Sequence, residues 1–190
     1  MSMIFGERMR LRAVEREDVK RFYEWVNDPE VTRGLSMYLP MSTVEEEKWF
    51  ERVQARDPHE KPLAIEVRDG DGWKLIGNCA VLNIDWVSSS AELGIMIGDK
   101  SVWNQGHGTQ VMSLLLRHCF GTLNLNRVFL RVYAGNGRAH RAYVKAGFVE
   151  EGRMRQAVYK QGRYDDVILM SVLSSEWNEW NEWNARKPED

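Results

Sequence analysis

Three apolar, partly alternating runs follow one another in the middle of the chain: Leu63 to Val67, Leu75 to Ile84 and Ala91 to Ile97. Asp69-Gly70-Asp71-Gly72 separates the first two. Period-two alternation marks half-buried strands, and short Gly/Asp breaks favour hairpin connections, so the pattern predicts three consecutive antiparallel strands. A sheet of this kind constrains the rest of the chain, which must cover its apolar faces.

The flanking segments supply that cover. Glu15 to Val26 places Val19, Phe22, Tyr23 and Val26 at spacings of three and four, which predicts an amphipathic helix stopped by Asn27-Asp28-Pro29. Ser42 or Thr43 caps a second helix, with Glu45 to Glu47 in its first turn, Trp49, Phe50 and Val53 on one face, and the Asp57-Pro58 turn at its end. Thr109 to Phe120 reads as an apolar helix, Val128 to Tyr133 as a strand, and Arg138 to Lys145 as a helix stopped by Gly147. Met9 to Ala13 predicts a short early strand and Val167 to Val172 a last one, with Ala157 to Tyr159 as its candidate partner across Gln161-Gly162-Arg163. Helices, then a meander, then strand-helix alternation predict a mixed α/β (α+β) sheet flanked by helices, not a doubly wound parallel one.

The 190 residues suit one domain, or one domain with a tail, and the 43% apolar content is enough for a core. With 26 Lys and Arg against 28 Asp and Glu, the chain lacks the overall basic excess that sequence-independent nucleic-acid binding needs. No eighteen apolar residues run together and the first ten residues contain no apolar signal segment, so neither a membrane span nor secretion is expected. Cys79 and Cys119 each sit inside an apolar run and read as buried free thiols, which suits a reducing, cytoplasmic setting. His107, His118 and His140 form no pair with metal-ligand spacing, and Gly-x-Ser-x-Gly is absent, so neither a metal nor a nucleophile triad is expected.

Trp103-Asn104-Gln105-Gly106-His107-Gly108-Thr109 joins a strand end to a helix start. Its glycines let a ligand approach the backbone, and N–H groups at the positive end of a helix dipole suit a phosphate or pyrophosphate. A plain Gly-rich connection fits the same seven residues. The loop is no P-loop, because Lys followed by Ser or Thr is missing, and Val111 leaves the dinucleotide fingerprint incomplete.

Several motifs then occur in a telling order: Trp25 to Val31, Pro40 with the Glu-rich helix and Trp49-Phe50, Glu92-Leu93-Gly94, the Gly106-x-Gly108 loop, and Asn136 with Ala139, Tyr143 and Gly147-Phe148. In these the chain, from about Met9 to Leu173, resembles the GNAT superfamily of N-acetyltransferases, most closely the branch of the ribosomal-protein N-terminal acetyltransferases RimJ and RimL. Trp103 stands where the family at large commonly has Gln or Arg, and looks like the variant of that branch. The resemblance implies a mostly antiparallel, roughly seven-stranded sheet splayed into a V, with acetyl-CoA in the gap. It implies that the backbone of Gln105, Gly106, His107, Gly108 and Thr109 holds the pyrophosphate, that Ile95, Met96 and Ile97 line the pantetheine, through main-chain groups of Ile95 and Ile97, and that Asn136 contacts the cofactor.

The resemblance further implies direct transfer in a ternary complex, with no metal and no covalent enzyme intermediate. Glu92 matches the position of the family's base and Tyr143 the tyrosine that protonates the departing thiolate. Substrate walls are expected in the segment Asn27 to Ser42, including Asn27 and Arg33, and in the loop Asp85 to Ser90. The acceptor is expected to be a primary amine, first a protein or peptide N-terminus. The alternatives are a polyamine, amino sugar or other small molecule, or a CoA-binding module without catalysis.

No repeat or linker interrupts residues 1–175, which read as one domain; residues 176–190 form a Trp-rich tail in which Trp177, Trp180 and Trp183 recur every three residues. Their rings are expected to dock on the chain's own core or on a partner, a second copy in a homodimer included. Arg186 to Asp190 is expected to fray.

Overall fold

A computed structural model describes residues 3–177, so Trp180, Trp183 and the end of the tail lie outside the described residues. The strands are β1 (Ile4–Phe5), β2 (Met9–Ala13), β3 (Leu63–Asp69), β4 (Gly72–Asp85), β5 (Ser90–Ile97), β6 (Arg127–Tyr133), β7 (Val149–Lys160) and β8 (Arg163–Leu173). The helices are α1 (Val19–Val26), α2 (Pro29–Thr32), α3 (Thr43–Gln54), α4 (His107–Gly121) and α5 (Gly137–Lys145). One eight-stranded sheet runs in the order β1-β2-β3-β4-β5-β6-β8-β7. Every pairing is antiparallel except β5 with β6.

That exception shapes the molecule. β5 pairs with β6 only through Ser90, Ala91 and Glu92 opposite Arg127, Val128 and Phe129. Beyond that point β5 stays with β4 as far as Ile97, while β6 stays with β8 as far as Tyr133. The sheet therefore splits between the two strands, leaving a V whose walls are backbone on both sides.

The pleat sends alternate side chains to opposite faces, and each face has its own core. Ile65, Val67 and Leu93 pack with Val111, Leu115, Leu116 and Cys119 of α4, and Ile95 and Ile97 lie against the same cluster. Ala64 and Met96 pack with Phe22 and Trp25 of α1, Val31 of α2 and Phe50 of α3. Leu115 and Leu116 are fully buried; each such side chain contributes roughly 1.5–3 kcal/mol of burial free energy. Both cysteines are free and buried.

Local chemistry explains most boundaries. Ser42 caps α3 through a reciprocal box with Glu45. The helix expected from Glu15 begins instead with a tight 3-10 turn over Arg16–Asp18, because Asp18 closes back on the Glu15 N–H at 2.9 Å and takes both ends of the Arg12 guanidinium. Asp28 both ends α1 and caps a further short helix, α2, whose first residue is Pro29. The eighth strand is β1, two residues long. β7 is far longer than Ala157 to Tyr159 because, as an edge strand with two bulges, it exposes nearly every side chain and carries no apolar alternation. Trp177, the first tryptophan of the tail, packs its ring 5.6 Å from that of Phe120 on the chain's own core. Among the described residues no helix is long and apolar enough to cross a membrane.

Candidate active site

The mouth of the V is closed by the turn into α4. Asn104 and Gly106 both take left-handed backbone conformations, with φ of 63° and 84°, and α4 starts beside the gap at His107, its first N–H groups lacking intrahelical partners. The Trp103 indole fixes this turn by donating to the Ile97 carbonyl at 2.9 Å, and the Arg138 guanidinium lies over the Trp103 ring at 3.4 Å. Thr109 bonds the Ala142 carbonyl at 3.3 Å and so ties α4 to α5.

A cleft of about 330 Å³ fills the V. Ile95, Met96 and Ile97 from β5 line it together with Gly106, His107, Gly108 and Thr109 of the loop, and with Asn136 and Tyr143 at the start and middle of α5. Asn136 caps α5 by accepting from the Ala139 N–H at 3.2 Å. Its amide nitrogen lies so close to Gly34 that a Cβ there would stand 2.3 Å away, so the absence of a side chain at 34 lets the segment after α2 close onto the cleft.

Tyr143 is buried, and desolvation pushes its phenol up to about 12. The hydroxyl therefore keeps its proton at neutral pH, as a donor requires. Burial lowers His107 from the ordinary imidazole value, with the charge of Arg8 adding to the effect.

Four other expected residues are not among those lining the cleft. The Gln105 side chain turns back to the Ser101 carbonyl at 2.9 Å, which leaves open the backbone role expected of it. Asn27 is a clamp: its amide donates to Tyr23 and Met41 carbonyls and accepts the Met41 N–H, fixing both ends of the segment between α1 and α3. Arg33 lines a neighbouring cavity. Glu92 is buried below the cleft, where Arg131 donates to both carboxylate oxygens at 2.8 Å and Asn83 adds a bond at 3.1 Å. Pairing with Glu92 raises Arg131 above the ordinary guanidinium value.

Arg131, Arg138, Arg141 and Lys145 also line the cleft, and among its lining residues there is no Asp or Glu. The sequence reading does not single these cations out. A signal for three of them exists in the spacing 138, 141 and 145, which places them on one flank of α5. For Arg131, one charged residue in an alternating strand, no signal exists. Lys160 acts from the β7–β8 hairpin: its ammonium donates to the carbonyls of Thr32, Leu35 and Met37 and anchors the wall that follows α2.

A glycine-shaped turn at a helix N-terminus, three cations on α5 and a gap between two splayed strands fit a long polyanionic ligand. The chain matches the Acetyltransferase (GNAT) domain over residues 8–149 and belongs to that family. It is an N-acetyltransferase with acetyl-CoA as acetyl donor.

Among its relatives, the spermidine N(1)-acetyltransferase of Vibrio cholerae is 29% identical over 173 residues, covering 90% of this chain and 96% of that one. The ribosomal-protein-serine acetyltransferase of Escherichia coli is 26% identical over 165 residues, covering 86% and 92%. The crystal structure of the Vibrio cholerae spermidine N-acetyltransferase in complex with CoA and spermine superposes with a TM-score of 0.82 at 27% identity, covering 91% of this chain and 99% of that one.

Proposed function

We propose that this chain transfers the acetyl group of acetyl-CoA directly to the primary amine of a small molecule. The observation that carries the reading is the cleft itself, in which one gap joins an anion-binding turn, a protonated tyrosine and an open wall beside α2. The likeness to spermidine acetyltransferases supports a small acceptor over the protein N-terminus suggested by the RimJ/RimL-like motifs. The likeness to the ribosomal-protein-serine acetyltransferase keeps a peptide α-amine as the second reading.

In this reading the N–H groups from Gly106 to Thr109 hold the pyrophosphate, Arg141 and Lys145 balance the remaining phosphate charge, and Ile95 to Ile97 flank the pantetheine arm. The thioester supplies an activated acyl carbon. The Tyr143 hydroxyl donates its proton to the thiolate as the carbon–sulfur bond breaks and the new amide bond forms; the amine nitrogen gives up its proton to solvent, from which the Tyr143 phenolate is reprotonated. Glu92 fixes Arg131 at the floor of the V. Release of free CoA thiol in the presence of acetyl-CoA and a panel of amines tests the proposal. The panel comprises spermidine, an amino sugar, free amino acids and a peptide with a free N-terminus. Thiol release with a small amine is expected; a peptide-only response favours the second reading, and none with any amine leaves a CoA-binding module.

A further inference from the structure

A second cavity, of about 250 Å³, opens beside the cleft between the segment after α2, the β6–α5 turn and the β7–β8 hairpin. The two share Val31, Gly34, Trp103, Asn136 and Arg138, so they are adjacent, with these residues lying between them. Arg33, Arg138 and Arg163 line the second cavity, each from a different element.

The other charged groups around it have partners of their own, which for Asp165 are backbone N–H groups and no cation. Glu30 bonds Lys100 at 3.1 Å. Asp165 takes the Gly135 N–H at 2.8 Å. Lys160 is spent on the carbonyls that anchor the wall. The guanidinium groups of Arg33, Arg138 and Arg163 have no carboxylate within ion-pair distance among the described residues. Arg138 sits flat on Trp103, at the boundary of the two spaces. Arginines without carboxylate partners that line one cavity suit an oxyanion, because each guanidinium presents a planar fork of donors that matches a carboxylate or phosphate.

We infer that the acceptor is an amine that also carries an oxyanion, a carboxylate or a phosphate, and that Arg33, Arg138 and Arg163 hold this group while the amine reaches the V. The inference rests on the small-amine reading above and deepens it. It sets this chain apart from its polyamine-acetylating relatives, since a second or third ammonium in the acceptor would enter a cavity where Arg33, Arg138 and Arg163 outnumber Asp165, a carboxylate bonded only to backbone N–H groups.

The test uses matched acceptors with acetyl-CoA: di- to tetraglycine with a free C-terminal carboxylate against the same peptides as C-terminal amides, phosphoethanolamine, and spermidine. The chain-length series covers the unknown reach from the reacting amine to the arginines. A kcat/KM at least tenfold higher for the free acids than for the amides identifies a carboxylate acceptor. The same preference for phosphoethanolamine identifies a phosphate one. The double variant Arg33→Ala/Arg163→Ala should raise KM for the preferred acceptor at least tenfold and bring acid and amide close to parity. The Kd values of CoA and dephospho-CoA should stay as in the wild type.

Acid and amide used equally well, or spermidine preferred, overturns the inference while leaving the acetyltransferase reading standing. A double variant that weakens CoA but not dephospho-CoA overturns it as well, by assigning the arginines to the phosphate on the donor's ribose. Absence of acetyl transfer to every amine removes the small-amine reading on which the inference rests. Because Arg33 and Arg163 are exposed, the variant should fold, and an unchanged melting temperature checks this.

Discussion

Arg131 holds both carboxylate oxygens of Glu92, each at 2.8 Å, across the point where β5 and β6 part. A bidentate guanidinium pair is stronger than a neutral hydrogen bond, and a carboxylate so engaged gives up part of the pair before it can take a proton from an amine. Glu92→Gln should therefore lower kcat by less than the roughly 10²–10⁴-fold that loss of a general base costs. The loss should be the same from pH 7 to pH 9.5. Arg131→Gln should give a similar loss, and the double variant should be no worse than either single one, because the two residues act as a unit. pH–rate profiles of the three variants decide the matter. A Glu92→Gln defect that shrinks as pH rises, when solvent supplies neutral amine, would make Glu92 the base.

Tyr143→Phe removes the hydroxyl and leaves the ring, which packs with Phe148 at 6.0 Å between centroids. Turnover should fall by about 10²–10⁴-fold with little change in the Kd of CoA. Because burial holds the phenol up to about 12, the wild-type rate should show no decline from tyrosine ionisation up to about pH 10. Steady-state kinetics together with calorimetric titration of CoA separates turnover from affinity. Wild-type turnover in the variant would return Tyr143 to core packing alone.

Glu46 is buried on α3, and desolvation pushes its carboxyl up to about 7. An unfolded glutamate titrates at about 4.3. Between those values the folded chain binds the extra proton, so this group's contribution to stability falls as pH rises through the window and is lowest above pH 7. Glu46→Gln removes the ionisation. It should raise Tm at pH 8 by the equivalent of roughly 3–4 kcal/mol, with the gain shrinking towards pH 5. Melting curves at the two pH values check the sign.

The glycine-rich turn and the helix carrying Tyr143 were legible in local pattern, two glycines before an apolar helix and a tyrosine four residues before Gly147, whereas the V was expected only from the family resemblance, because it depends on where two distant strands part. Asn27 was not legible, because an Asn before Asp-Pro reads as a turn or a wall residue, whereas its clamp on Met41 spans fourteen positions. The Glu92–Arg131 pair spans 39 positions and depends on where two strands diverge, which no local pattern encodes. The three arginines of the second cavity come from a helix exit, a helix start and a hairpin, so only the fold brings them together.

The anion turn itself offers the sharpest contrast between two glycines. Acetyl-CoA should stabilise the protein by mass action, by about 2.7 kcal/mol at a hundredfold excess over Kd. At Gly106 the backbone is left-handed, with φ of 84°, so any L side chain costs about 1–2 kcal/mol. Gly106→Val should therefore lower Tm even without ligand. At Gly108 an added Cβ would meet Ala142 at 3.6 Å and Ile97 at 3.8 Å, ordinary contact distances. Gly108→Ala should keep the wild-type Tm. Gly108→Val adds bulk where α4, α5 and the end of β5 meet at the turn proposed to hold the pyrophosphate, and should weaken CoA binding at least tenfold. Calorimetric titration of CoA into the Gly108 variants, with melting curves for all three, tests both halves. An unchanged Kd in Gly108→Val would place the anion site away from this turn.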